Sequence, residues 1–282
     1  MSHPIAGASP EVSLLTWTLP PAVVAPAVVA GALYLRGWTL AASRMPERFG
    51  AGRRAAGVAG LAVILVALCS PIDALGHQLL LAHMIQHLLL MMVAPPLLWL
   101  GAPVAPLLLG LPLPLRRSVA GALARPAVRR VTHALADPRV AWIAFVVVLW
   151  AWHAPALYDR ALRSEGWHHA QHVCFLAAGL LFWRPVILAW PARLGWPRWA
   201  MIPYVALAEL QNSALAAILT FSGRTLYPAY ESVPHALSLS PVEDQAIAGV
   251  IMWIPGSLPF LLAVLWLVLT AIRTPRPDYV RS

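Results

Sequence analysis

The chain has 282 residues, 60% of them hydrophobic and only 11% charged, with a mean hydropathy of +0.71. A soluble domain carries about 25% charged residues, so this composition excludes an ordinary water-soluble fold and makes lipid the solvent for most of the chain. The net charge of +9 rests on 20 basic residues, all arginine; they fall between apolar runs too long for soluble core helices, and so read as topology signals rather than as a nucleic-acid surface.

The N-terminal stretch MSHPIAGASPEVSLL has no basic segment ahead of its first apolar run, so the first span is expected to be retained rather than cleaved as a signal peptide. A hydrocarbon core of roughly 30 Å needs about 20 helical residues. In chain order the expected spans are 14–35, 55–72, 77–100, 140–157, 167–190, 199–220 and 246–272, forming one all-α transmembrane bundle over residues 1–282 without a separate soluble domain. The apolar stretch 74–115 has the length for either one span or two. Counting it once, kinked or ended near Pro95 and Pro96, puts Arg116, Arg117, Arg125, Arg129, Arg130 and Arg139 on the same side as Arg36, Arg44, Arg48, Arg53 and Arg54. Only Arg160, Arg163 and Arg224 then fall on the other side, and the positive-inside rule places the N-terminus outside and the C-terminus in the cytoplasm. The segment 116–139, with arginines among Val, Leu and Ala, is expected to lie along the membrane surface. Trp17, Trp38, Trp150, Trp152, Trp167, Trp190, Trp196 and Trp199 stand near span ends, where indole anchors at the headgroups.

With this topology His3, His77, His83, His87, His153, His168, His169, His172 and His235 gather in the outer half or outside, and only His133 is cytoplasmic. Span three enters as HQLLLAHMIQHLLLMM, so His83 and His87 share one helix face a turn apart. Span five enters as WHHAQHVCFL and repeats the spacing with His168 and His172, while His77 and His153 lie near the same rim. Lone histidines in membranes commonly hydrogen-bond across helices. Two i,i+4 pairs at matched depth point instead to one or two bound metal ions, since imidazole suits zinc, copper, iron and nickel.

Soft donors tilt the choice towards copper over zinc: Met84, Met91, Met92 and Met252, with Cys69 and Cys174 in the same half. For any one methionine ordinary packing is the commoner role, and both cysteines are equally readable as small buried residues. Two cysteines, neither in a CxxC, exclude a disulfide framework and a four-thiolate zinc site. Asp73 and Asp244, near the outer ends of their spans, are placed to orient ligand histidines, to guide a cation inward, or simply to be solvated. Glu209, near the midplane with Gln211 and Asn212, is a relay or ligand candidate or a protonated partner in an interhelical hydrogen bond.

Five segments also resemble a family: SPIDALGHQLLLAHMIQHLLLMMVAPPLLWLGAP (70–103), WHAPALYD (152–159), HHAQHVCFLAAGLLFWRPV (168–186), TFSGRTLYPAY (220–230) and SPVEDQAIAGVIMWIPG (240–256). The chain resembles the polytopic CtaG-type cytochrome c oxidase assembly factors, with His77, His83, His87, His153, His168 and His172 matching that family's pattern. His169 looks like a local extra, and Arg184 stands where the family often has tryptophan. The resemblance implies a non-enzymatic helper in building haem-copper oxidases in the bacterial cytoplasmic membrane. Its cargo would be copper on the outer side, and its partners oxidase subunits or other assembly factors. The histidines by themselves leave three other functions open. An intramembrane zinc hydrolase is weakened by the lack of an HExxH, and a b-type haem protein leaves the paired spacing unexplained. A copper permease would need a polar ladder to the cytoplasmic face, for which Glu209 is the one candidate.

Overall fold

Proline opens six of the thirteen α-helices among the described residues. A residue at the first helical position has no intrahelical partner for its N–H, and the proline ring already holds φ near the helical value. The computed structural model describes residues 17–187, 195–232 and 237–273. Helices begin at a proline in α1 (Pro21–Arg44), α3 (Pro71–Gly76), α8 (Pro126–Leu135), α9 (Pro138–His153), α10 (Pro155–Arg163) and α13 (Pro241–Arg273). The others are α2 (Ala51–Cys69), α4 (Leu80–Leu88), α5 (Ala94–Leu100), α6 (Val104–Gly110), α7 (Leu113–Ala124), α11 (Glu165–Ile187) and α12 (Met201–Phe221). No strand occurs among the described residues. Six helical segments are long and apolar enough to cross a membrane, or seven if α8 and α9, which meet at a 66° bend, are counted as one span. The protein is therefore an all-α, multi-pass membrane bundle.

Several boundaries differ from those expected. The first helix starts at Pro21 and continues through Arg36 to Arg44, whereas 14–35 was expected; residues 14–16 lie outside the described part. Arginine is a good helix former whose long stem carries its charge to the headgroups, so a charged residue does not end a helix there. The same reasoning covers Arg53 and Arg54 within α2. The fourth span ends at His153, because Pro155 opens α10 in a new direction.

The third span is built from α4, a π-helical turn at Leu89–Val93, and α5. Pro95 and Pro96 have no N–H to offer the carbonyls a turn earlier, and their rings crowd those carbonyls. The wider π turn makes room, and the freed Met91 carbonyl accepts a hydrogen bond from the Trp183 indole at 3.1 Å. After Gly101 the chain folds back as α6 along α1, where a methyl group on Gly37 would overlap the Pro106 carbonyl and one on Gly110 the Leu33 carbonyl. Helices α7 and α8 bury no residue, in keeping with a surface segment.

Two apolar clusters result. The main core joins Met84, Met91 and Met92 of the third span to residues of α9 through α13, while a smaller one packs Tyr34, Trp38, Ala41 and Phe49 with Ala102 beside α6. Trp38 and Trp152 are thus buried, at 3% and 8% exposure, instead of standing at a lipid boundary. Trp150 is half-buried and donates to Gln211 at 3.2 Å. Trp17, Trp167, Trp196 and Trp199 are exposed, as an interfacial indole is, and Trp190 lies outside the described residues.

Candidate metal centre

Helices α4 and α11 enter the bundle at the same end and α9 finishes there, so three helix ends deliver histidines to one place. His83 and His87 face each other with ring centroids 4.2 Å apart, and His168 and His172 do the same at 4.2 Å, as one-turn spacing requires. Across the helices His83 stands 5.2 Å from His168 and 6.0 Å from His172, while His87 stands 5.8 Å from His172 and 6.0 Å from His153. All five rings are buried. His77 is exposed at the mouth, its ring 4.9 Å from that of His168. An unbroken line of imidazoles thus runs from the surface at His77 inward to His153.

Within this line His83, His168 and His172 each bring one ring nitrogen within 4.8 Å of the others. Tetrahedral zinc with Zn–N bonds of about 2.0–2.1 Å sets its nitrogens closer than this, so an ion would draw the rings inward. Buried polar atoms without partners mark the same place: His83 Nδ1 and the Nε2 atoms of His153, His168 and His172, together with both ring nitrogens of His87. Unpaired buried imidazole nitrogens are costly, and a bound ion would satisfy them. Two tautomers are set from outside the cluster. His153 Nδ1 donates to the Leu149 carbonyl at 2.7 Å and His83 Nε2 to Gln171 Oε1 at 3.3 Å, which leaves the other nitrogen of each ring with its lone pair free.

Beneath the trio a cavity of about 30 Å³ is lined by His87, His153, Met84, Met91, Met92, Met252, Phe175 and Asn212, among others. It is the size of one ion or one water. It has no room for a porphyrin, since sites for organic ligands run to roughly 300 Å³ and more.

The remaining candidates fall elsewhere. Among the described residues neither a cysteine nor a carboxylate joins the trio. Cys69 is buried at the end of α2, and Cys174 is half-buried on α11. Asp73 accepts from Gln86 Nε2 at 2.6 Å, on the helix that carries His83 and His87. Glu209 accepts from Ser213 at 2.8 Å and from Ser257 across the α12–α13 contact, and its second oxygen has no partner. His133 and His169 are exposed, and His3 and His235 lie outside the described residues.

Asp244 acts through the backbone. Its two oxygens accept from the Leu80 and Leu81 N–H groups, at 2.6 and 3.0 Å, at the start of α4. No local side chain caps α4, so this carboxylate of α13, buried at 0% exposure, supplies the cap and sits at the positive end of the helix dipole. Replacing Asp244 by alanine strands one buried and one partly buried donor, the buried one at about 1–3 kcal/mol. Asp244→Ala is expected to lower the melting temperature in detergent clearly more than Asp244→Asn, which keeps one acceptor oxygen.

Sequence reasoning missed a tyrosine cover over the histidines. Tyr227 donates to the His153 carbonyl at 3.0 Å and Tyr230 to the Gly76 carbonyl at 2.8 Å, while Tyr158 stacks on Tyr227 at 4.1 Å and faces His83 at 5.2 Å. Burial pushes the Tyr227 and Tyr230 hydroxyls above their usual range, so both remain neutral donors. Signals for them existed in WHAPALYD and TLYPAY, but nothing local ties those loops to the histidines.

A family model described as cytochrome c oxidase caa3 assembly factor (Caa3_CtaG) matches residues 32–274. The chain belongs to this family. It is 28% identical over 280 residues to uncharacterized proteins of Mycobacterium bovis and Mycobacterium tuberculosis, covering 93% of this chain, and 26% identical over 283 residues to one of Mycobacterium leprae, covering 94%. The chain spans only 40–41% of the length of these relatives. No solved structure matches it.

Proposed function

We propose that this caa3 assembly-factor chain binds copper through the histidine cluster and hands it on during oxidase assembly, without itself catalysing a reaction. The observation that carries the reading is the buried trio of His83, His168 and His172, with nitrogens within 4.8 Å and no carboxylate beside it among the described residues. Neutral nitrogen ligands suit copper or zinc, whereas magnesium and calcium seek oxygen. The partners are oxidase subunits or other assembly factors, met in a bacterial cytoplasmic membrane.

Transfer through the membrane is disfavoured by what lies beyond the cavity. Phe145, Phe182, Trp183 and Phe260, each at 2% exposure or less, close the core there. On this reading cargo enters and leaves at the histidine end. A hydrolytic zinc site is the reading that a three-histidine set would otherwise suggest, and among the described residues it lacks a carboxylate base at the trio. Protein purified without a histidine tag is expected to carry copper after growth in copper-supplemented medium. Zinc as the sole bound metal, with ester or amide turnover, would replace this reading with the hydrolase.

The histidine end faces outward by the arginine distribution. Reporters active only outside the cytoplasm are expected to work when fused near residues 75 and 162 and to fail near 50 and 120. Activity at 120 would put the cluster on the cytoplasmic side.

A further inference from the structure

We propose that the cavity beneath the histidine trio is a second, separate metal site, selective for a soft monovalent cation, Cu(I), and formed by His87, His153, Met84, Met91, Met92 and Met252. This deepens the copper-handling reading and rests on it: the trio receives the ion and the methionine chamber holds it.

Three observations carry the assignment. First, the donor set changes with depth. The trio offers imidazole alone, while the wall of the 30 Å³ cavity below it carries two imidazoles and four methionines, each at 7% exposure or less. Thioether sulfur discriminates strongly in favour of Cu(I) and against zinc, which takes imidazole, thiolate and carboxylate. Second, the two imidazoles of the chamber are poised as ligands. His153 is held by its Nδ1–H bond to the Leu149 carbonyl with Nε2 unpartnered, and neither ring nitrogen of His87 has a partner. Third, the backbone is bent to build the chamber. In a regular helix the adjacent Met91 and Met92 would diverge by about 100°. Here both fall within the π turn at Leu89–Val93 and both border the cavity, with Met84 two turns earlier and Met252 arriving from α13. Four methionines used only as fillers would close such a gap, because the side chain is adaptable; around this cavity they leave the space of one ion.

The two sites are connected. His172 stands 4.2 Å from His168 of the trio and 5.8 Å from His87 of the chamber. An ion passing inward exchanges imidazole for thioether without meeting water.

The test is a metal titration of the purified full chain, untagged and in detergent, with Zn(II) in air and with Cu(I) under strict anaerobiosis. Bound ions are counted, and the copper coordination is read by X-ray absorption. The wild type is expected to take more Cu(I) than Zn(II), with sulfur in the copper shell. In the double variant Met91→Leu with Met252→Leu, similar in volume, the sulfur-ligated Cu(I) is expected to be lost while Zn(II) binding stays unchanged, which also shows that the fold survives. His168→Ala is expected to do the reverse, losing Zn(II) and keeping the sulfur-ligated Cu(I). Copper bound through nitrogen alone, or unchanged in the double methionine variant, overturns the second site and leaves the copper reading standing. A wild type that binds no Cu(I) overturns both.

Discussion

Replacing His172 by alanine is expected to cost more bound metal than any other single histidine change. Its ring touches both parts of the line, 4.2 Å from His168 and 6.0 Å from His83 on one side and 5.8 Å from His87 on the other. Loss of a group that merely supports a ligand lowers metal affinity roughly 10–100-fold, and loss of a ligand from a set of three should cost more. At 5% exposure, water is poorly placed to substitute for the imidazole. His83→Ala should follow closely, while His133→Ala, on the exposed surface helix α8, should retain full metal content. Metal analysis after gel filtration measures this. Equal metal content in the wild type and in the double variant His83→Ala with His172→Ala would remove the cluster as a metal site.

If the chain loads copper as proposed, a cell lacking it is expected to make cytochrome c oxidase polypeptides and haem while oxidase activity collapses, because the metal-loading step is then missing. The His172→Ala and His83→Ala variants should behave like the deletion at limiting copper. Their defect is one of affinity, so mass action gives a sign that separates copper handling from other roles. A loss of affinity is offset by a comparable rise in available copper, so the variant that loses more affinity needs the larger rise. Oxidase activity measured across a copper series should therefore recover in the point variants, whereas loss of a haem-delivery function would show as missing haem absorbance that does not respond to copper. Full oxidase activity in the deletion strain under copper limitation would sink the assembly role for this chain.

A large part of the molecule was legible without a structure, for definite reasons. Long apolar runs have few alternatives to transmembrane helices, because a bilayer satisfies no backbone polar group. The paired spacings HMIQH and HHAQH, at His83 with His87 and His168 with His172, put each pair on one face by helix geometry alone. The third and fifth spans run in the same direction, which brings the two pairs to one end of the bundle. Less legible were the helix ends at arginines, where Arg36, Arg53 and Arg54 sit inside helices that were expected to stop short of them. A guanidinium on a long stem reaches the headgroups from within a span, so charge is a poor marker of a membrane helix's last turn.

The sequence by itself determined an all-α membrane bundle and the matched depth of its histidines, because both follow from interactions within about one helical turn and from the thickness of a bilayer. Only the tertiary structure decided which donors share a space. Asp244 looked like a companion of the histidines and proved to cap α4 from 164 residues away. Tyr227 and Tyr230 came to cover the site from a loop 74 and 154 residues from their hydrogen-bond acceptors. Met252 was one of four candidate methionines with no stated neighbour until α13 carried it to the cavity beside Met91 and Met92. The physical reason is common to all three: contacts between helices depend on rotation about each helix axis and on breaks such as the π turn at Leu89–Val93, and these are set by packing across the bundle rather than by neighbours along the chain.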